Sequence, residues 1–408
     1  MYSIISKFLF ILSICYFSVT EAGCRKSSSG SGSGSGSGTD PVIYATISDI
    51  VQERTPSSSQ FHFSIVLQKA STKAITILYK TADGTAFGNA DYTPVNGTLT
   101  IPAGELKGSI DVTVKGDSLR KDDQYFFVQL DSAKNCVLSP SRAIGTITNS
   151  NGTYLPVANT GYTTPTNYPG YALVWSDEFS GKVVDSTNWT FETGNNNGWG
   201  NNELEYYTGR TQNEFVSSGN LILEARPESI GGYSYSSARM ISKNKRVFKY
   251  GRVDIRAKLP TGQGIWPALW MLGNNIDVAA WPSCGEMDIM ELVGKDPNIV
   301  YATMHWGSTI PLHKQLGTNF KLGSGTFDQQ FHVFSLIWKQ DDVRVLVDDQ
   351  EYLHFTPTDV ASSGSPYPFN NPSFFIFNVA VGGYWPGSPS NATGFPQRMI
   401  VDYIRMFQ

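Results

Sequence analysis

Three carboxylates crowd one short stretch, Cys284-Gly285-Glu286-Met287-Asp288-Ile289-Met290-Glu291-Leu292-Val293. Acidic and apolar residues alternate there and no helical period fits, so the stretch predicts a β-strand. Glu286 and Asp288 share a face, because side chains two apart along a strand point the same way. Glu291 has the opposite parity in a regular strand, and one extra residue bulged out near Met290 returns it to the face of the other two. At a rise of about 3.3 Å per residue the two glutamate Cα atoms then lie about 13 Å apart. Long side chains leaning together can close that to the roughly 5 Å at which paired carboxylates cleave glycosidic bonds with retention. The same alternation also describes an ordinary half-exposed strand with its acids in water and Met287 and Ile289 in the core. Three like charges on one face are costly enough to need a reason, and the surrounding chain must supply it.

Charged residues are only 16% of the 408 and aromatics are 13%, which describes a globular chain rich in rings. The net charge of −4, without long basic runs, argues against a nucleic-acid partner. Runs of Val, Ile, Thr, Tyr and Phe between Gly, Asn and Pro predict an all-β protein. Cys15 and Cys24 fall at the N-terminus, and Cys136 and Cys284 fall in what read as separate domains. Neither a disulfide framework nor a structural zinc site is expected.

Lys7 followed by the apolar residues 8–19 reads as a secretory signal. Its end, Glu21-Ala22-Gly23-Cys24, resembles the lipobox of bacterial lipoproteins. That resemblance implies a signal peptide over 1–23, lipidation of Cys24 and a place at the bacterial cell surface or outer membrane. Ordinary cleavage, releasing a free extracellular protein, is the alternative. Residues 24–40 are mostly Ser and Gly, a random coil that spans about 20–25 Å and serves as a tether.

Residues 41–150 carry short alternating runs such as Phe61-His62-Phe63-Ser64-Ile65-Val66-Leu67, separated by regular turns. They predict a small seven-strand β-sandwich. Tyr79-Lys80-Thr81-Ala82-Asp83-Gly84-Thr85-Ala86, Asp91-Tyr92-Thr93-Pro94-Val95 and Ala143-Ile144-Gly145-Thr146-Ile147-Thr148 resemble a Calx-β domain. Calcium binding in such domains depends on acidic loops, and Arg120-Lys121 stands where an acidic turn is usual. The expected role is therefore a spacer rather than a cation site.

Residues 151–169, rich in Thr, Pro, Asn and Gly, read as a linker. All nine tryptophans follow it, in residues 170–408. Indole faces stack on the apolar faces of sugar rings, although many tryptophans simply pack in cores. Trp266 and Trp270 share a strand face and are the better cleft candidates.

Trp175-Ser176-Asp177-Glu178-Phe179, Gly198-Trp199-Gly200-Asn201-Asn202-Glu203-Leu204-Glu205-Tyr206-Tyr207, Gly264-Ile265-Trp266-Pro267-Ala268-Leu269-Trp270-Met271, the acidic stretch and Val401-Asp402-Tyr403-Ile404-Arg405 together resemble glycoside hydrolase family 16. The resemblance implies a concanavalin-like β-jelly roll whose concave sheet forms an open cleft. The extra residue in the acidic motif resembles the laminarinase-like endo-β-1,3-glucanases of that family. It implies Glu286 as nucleophile, Glu291 as general acid/base and Asp288 as their assistant, acting on laminarin-like or mixed β-1,3/1,4-glucan.

By the same resemblance Asn202, Glu203, Arg239, His305 and Gln397 join Trp266 and Trp270 as substrate-binding positions. Glu178, Gly219 and Asp402 match a structural calcium site, while catalysis needs no cofactor. A monomer is expected. A non-catalytic glycan-binding protein on the same fold and a family 16 enzyme acting on galactans or as a transglycosylase stay open.

Overall fold

A computed structural model describes residues 42–408 except 122, 150, 151 and 153. The leader and the whole tether, Cys24 included, lie outside the described residues. Regular secondary structure in the described part is almost wholly strand, with a single α-helix, Pro357–Ala361, among those residues. None of its helices is long and apolar enough to cross a membrane.

The accessory sandwich follows from its alternation. Along Ser59–Leu67 the residues Phe61, Phe63, Ile65 and Leu67 face inward while their neighbours face water. Facing sheets of four and five strands bury these side chains with Ile75, Ile77, Phe126 and Val128 in one core. Seven strands were expected and nine form. The short Ile50–Glu53 and Val137–Leu138 pair in parallel at sheet edges, and segments so brief show no period in sequence. Cys136 and Cys284 are free thiols.

Two larger sheets build the second domain as a jelly roll. The first runs, in spatial order, Thr190–Glu192, Arg239–Ile241, Ser373–Val381, Ile265–Gly273, Glu286–Leu292, Ile299–Trp306 and Lys314–Lys321. Its interior strand Ser373–Val381 is buried along its whole length. One parity, Phe375, Phe377, Val379 and Val381, enters the main core. The other parity reaches the open face, where Asn378 and Ala380 line a cleft. Each fully buried phenylalanine contributes about 1.5–3 kcal/mol of apolar transfer, which keeps the sheet rigid beneath the cleft.

The ten-stranded sheet covers the opposite side of that core. The stretch read as a linker runs along this domain. Leu155 and Val157 pack against Phe215, Ile222, Phe331 and Ile400. The Leu155 N–H donates to Ser217 Oγ at 2.7 Å, and Arg256 Nε donates to the Tyr162 carbonyl at 2.6 Å.

Candidate active site

The strand Glu286–Leu292 lies between Ile265–Gly273 and Ile299–Trp306. Its register against both neighbours shifts by one residue: Asp288 pairs with Thr303 and Glu291 with Tyr301, while Asp288 and Met290 face the adjacent Trp270 and Leu269. Ile289 is the extra residue, and both Ile289 and Met290 are buried in the core. This bulge turns Glu291 onto the cleft beside Glu286 and Asp288. A bulge takes a carbonyl out of the ladder, and here Tyr352 Oη, reaching across from the opposite sheet, donates to the Ile289 carbonyl at 3.0 Å. Glycine is required just before the acids, because Gly285 has φ +79° and a Cβ there would meet Pro368 at 2.9 Å.

The outer carboxylates are held alike. Trp281 Nε1 donates to Glu286 Oε2 at 3.0 Å, and Trp266 Nε1 donates to Glu291 Oε1 at 3.0 Å. Between them, Asp288 Oδ2 is buried without a hydrogen bond, although His305 Nε2 lies 3.1 Å away. The same nitrogen is 3.6 Å from Glu286 Oε1. His305 Nδ1 shares a 2.8 Å hydrogen bond with His313 Nε2, and the two rings stack at 5.0 Å. Burial, with the His305 and Lys314 charges, pulls the His313 pKa down.

Burial raises all three acids, and neighbouring carboxylates add to it for the two glutamates. Glu286 is pushed up to about 7, first by burial and then by the Asp288 charge. Burial drives Asp288 well above the ordinary range. Glu291 rises for the same reason, reinforced by the charges of Asp288 and Glu286. Such a trio retains protons near neutral pH, which supplies an acid and an anionic carboxylate within one site.

The cleft above them encloses about 1010 Å³ and is open to solvent. Five of its lining residues are tryptophans: 199, 266, 270, 281 and 385. Trp189, Trp306 and Trp338 are buried instead.

A rigid concave sheet, a bulged acidic trio and an aromatic cleft match a known pattern. The sequence fits the description of Glycosyl hydrolases family 16 over residues 199–405 and that of the Calx-beta domain over residues 48–151. The chain belongs to glycosyl hydrolase family 16, and it is a glycoside hydrolase.

Among relatives, it is 40% identical to a beta-glucanase of Rhodothermus marinus, covering 59% of this chain and 86% of that one. It is 39% identical to glucan endo-1,3-beta-glucosidase A1 of Niallia circulans, over 60% of this chain and only 39% of that longer protein. Among solved structures, the laminarinase catalytic domain of Thermotoga maritima is 47% identical, with a TM-score of 0.55 over 58% of this chain and 98% of that domain.

On this family 16 framework the other expected positions divide. Arg239 lines the cleft, its guanidinium 4.5 Å from the Trp199 ring and 4.9 Å from that of Trp270. Glu203 lines it too, accepting from Asn201 Nδ2 at 3.0 Å and from Tyr207 Oη at 3.2 Å. Trp270 Nε1 donates to Asn378 Oδ1 at 2.8 Å, and Asn378 Nδ2 donates to Tyr207 Oη at 3.1 Å. One hydrogen-bonded chain thus ties Trp270 to Glu203.

Asn202 is different: it is exposed at a positive-φ turn, and its neighbour Asn201 reaches the cleft. Gln397 lies outside the cleft lining, its amide committed to the Thr261 N–H and the Gly394 carbonyl. The residues proposed for calcium do not fit a cation. Both Glu178 oxygens accept from Arg405, at 2.9 and 2.8 Å. Asp402 pairs with Arg256 at 2.7 Å, and Gly219 forms the turn of a hairpin. The guanidinium groups already neutralise the charge that calcium would seek. Sequence reasoning missed Trp281, His313 and Tyr352, for none has a local motif; Trp281 and His313 act from loops near their partners in sequence, and Tyr352 from a strand of the opposite sheet.

Proposed function

We propose that this enzyme cleaves internal β-1,3 linkages of a laminarin-like glucan with retention of the β configuration. The observation that carries the proposal is the acidic trio, with the bulge presenting Glu291 beside Glu286 and an indole N–H fixing each glutamate. The glucan is supported by the similarity to a beta-glucanase and a glucan endo-1,3-beta-glucosidase and by a cleft walled with tryptophan.

In the first step the Glu286 carboxylate attacks the anomeric carbon while the Glu291 carboxyl gives its proton to the glycosidic oxygen. The bond from that carbon to the leaving sugar breaks and a glycosyl ester forms on Glu286. In the second step Glu291, now a carboxylate, takes a proton from water. The hydroxide oxygen bonds the anomeric carbon, the ester breaks, and both carboxyl groups return to their starting states. Asp288, wedged between them with His305, sets the charge each glutamate feels. Mixed β-1,3/1,4-glucan fits the same cleft as a second substrate. Lipidation of Cys24 and the Ser/Gly tether would hold a monomeric enzyme at the cell surface.

The test is release of reducing ends from laminarin by wild type and by Glu286→Gln, with proton NMR of the anomeric signals at early times. The expected result is β-anomer appearing first with wild type and none with the variant. Binding without release by wild type would make this a glycan-binding protein, α-anomer first would make it inverting, and release from agar or carrageenan instead would make the substrate a galactan.

A further inference from the structure

Arg120 belongs to the accessory sandwich, yet its side chain is spent on the catalytic domain. It is 3% exposed. Its Nε and Nη2 donate to the two oxygens of Glu224 at 3.1 Å each. Nη1 donates to the Thr211 carbonyl at 3.0 Å and Nη2 also to the Gln212 carbonyl. The guanidinium lies 4.0 Å from the Phe215 ring. A planar donor fork filled on every side is an arginine geometry that lysine cannot reproduce.

Residues 211 and 212 follow a short, buried strand at one end of the sheet. The strand Glu205–Tyr207 has three residues, sits at the edge and pairs only with Tyr233–Ser237 on the path of its sheet. It continues from the segment that brings Trp199, Asn201 and Glu203 to the cleft, and Tyr207 Oη donates to Glu203. On its other side Tyr207 exchanges two backbone bonds with Gly194, so the strand itself is tied and the loop that follows it is the part left to be held. Thr208 Oγ1 donates to Asn213 Oδ1 at 2.5 Å, the Asn213 carbonyl accepts the Glu224 N–H at 2.8 Å, and Asn213 Nδ2 donates to the Glu224 carbonyl at 3.0 Å. Arg120 therefore grips both the loop after the strand and the glutamate to which that loop is tied.

We infer that Arg120 is a positioning residue: the accessory sandwich uses it to hold the 199–213 segment, and with it Glu203 and Trp199, in place for substrate. The Calx-β domain is then a fixed brace for one arm of the cleft rather than a spacer. Loss of Arg120 does not strand Glu224, because Arg398 Nε stays 2.7 Å from Oε2 and Arg226 pairs with Oε1. The fold survives the substitution while the two loop carbonyls lose their donors.

The inference rests on reading the cleft as a glucan site, and its test keeps the two apart. The full chain carrying Arg120→Met is compared with wild type on laminari-oligosaccharides and by amide hydrogen exchange. KM is expected to rise about tenfold with kcat within about twofold, the mark of lost substrate positioning. Exchange is expected to quicken over 205–213 and to stay unchanged over 286–292. Arg120→Lys, which keeps a charge on Glu224 but cannot span both carbonyls, is expected to fall between; it carries the same test if the methionine variant does not fold. An unchanged KM, a loss confined to kcat, or wild-type exchange over 205–213 overturns the inference. If wild type does not act on laminarin, the substrate reading fails, and the exchange comparison still decides whether Arg120 braces the arm.

Discussion

Two buried acids, one in each sandwich, show what separates structure from chemistry here. Asp91 in the accessory domain accepts from Arg54 at 3.0 Å and Lys121 at 3.1 Å on one oxygen. Its other oxygen accepts from the Phe87 N–H and Gln124, both at 3.0 Å. Burial raises its pKa, but those donors outweigh it and hold the carboxyl below the usual range. Asp288 in the cleft is as deeply buried, yet its Oδ2 has no hydrogen bond and its neighbours are two more acids and His305. A paired charge holds a fold together. A crowded charge that meets a histidine instead of an arginine or lysine stores a proton that a substrate can use.

The largest expected effect tests the crowded side. Glu286→Gln should lower kcat by at least about 10⁴-fold on laminarin, since the nucleophile is gone. It should also stabilise the fold at high pH. Below the ordinary glutamate value of 4.5 the residue is neutral folded or unfolded. Between 4.5 and its folded value of about 7 the unfolded chain alone releases the proton, so wild-type stability falls as pH rises through that window. The variant escapes this, and should melt higher than wild type at pH 8 and equally at pH 4. Equal melting at both would remove the repulsion argument.

Next is the paired side. Arg54→Met leaves Asp91 buried with less compensation and should cost about 3–5 kcal/mol in unfolding of the accessory sandwich, with kcat unchanged well below the melting temperature. The pH sign is reversed there: the stability Asp91 contributes is present above its ordinary 3.8 and is lost as pH falls through its lower folded value. Denaturation in urea across pH would read both signs.

Asp288→Asn probes the repulsion directly. Removing that charge lets Glu286 ionise more readily, so the acid limb of the kcat/KM profile should move to lower pH. A fall in kcat of about 10- to 100-fold should accompany it. A stationary acid limb would mean that burial alone sets Glu286. The smallest effect is expected of Tyr352→Phe, which strips the donor from the bulged Ile289 carbonyl. It should cost about 1–3 kcal/mol of stability and lower kcat about tenfold through a looser Glu291.

Much of this was legible in the chain. The alternation in Ser59–Leu67 announces a half-buried strand, and the parity clash between Glu286 and Glu291 announces a bulge, because both rest on a two-residue period that local sequence carries. Asn202 against Asn201 was not legible. Which of two adjacent asparagines enters the cleft depends on backbone torsions, and Asn202 takes a positive φ that aims it at solvent. Gln397 and the calcium positions failed for another reason. Their partners, Thr261, Arg405 and Arg256, are distant in sequence for Gln397, Glu178 and Asp402, and no local pattern declares a pairing already made.

By itself, the sequence determined the all-β class, the order of the two sandwiches and the face on which three acids meet, since each follows from short-range periodicity. Tertiary structure alone decided that those acids meet a histidine and, among the described residues, no ion-paired arginine or lysine, that an indole steadies each outer one, and that Arg120 crosses to the other domain. Those outcomes depend on which remote side chains arrive within about 3 Å, a distance set by how sheets pack rather than by how residues are spaced.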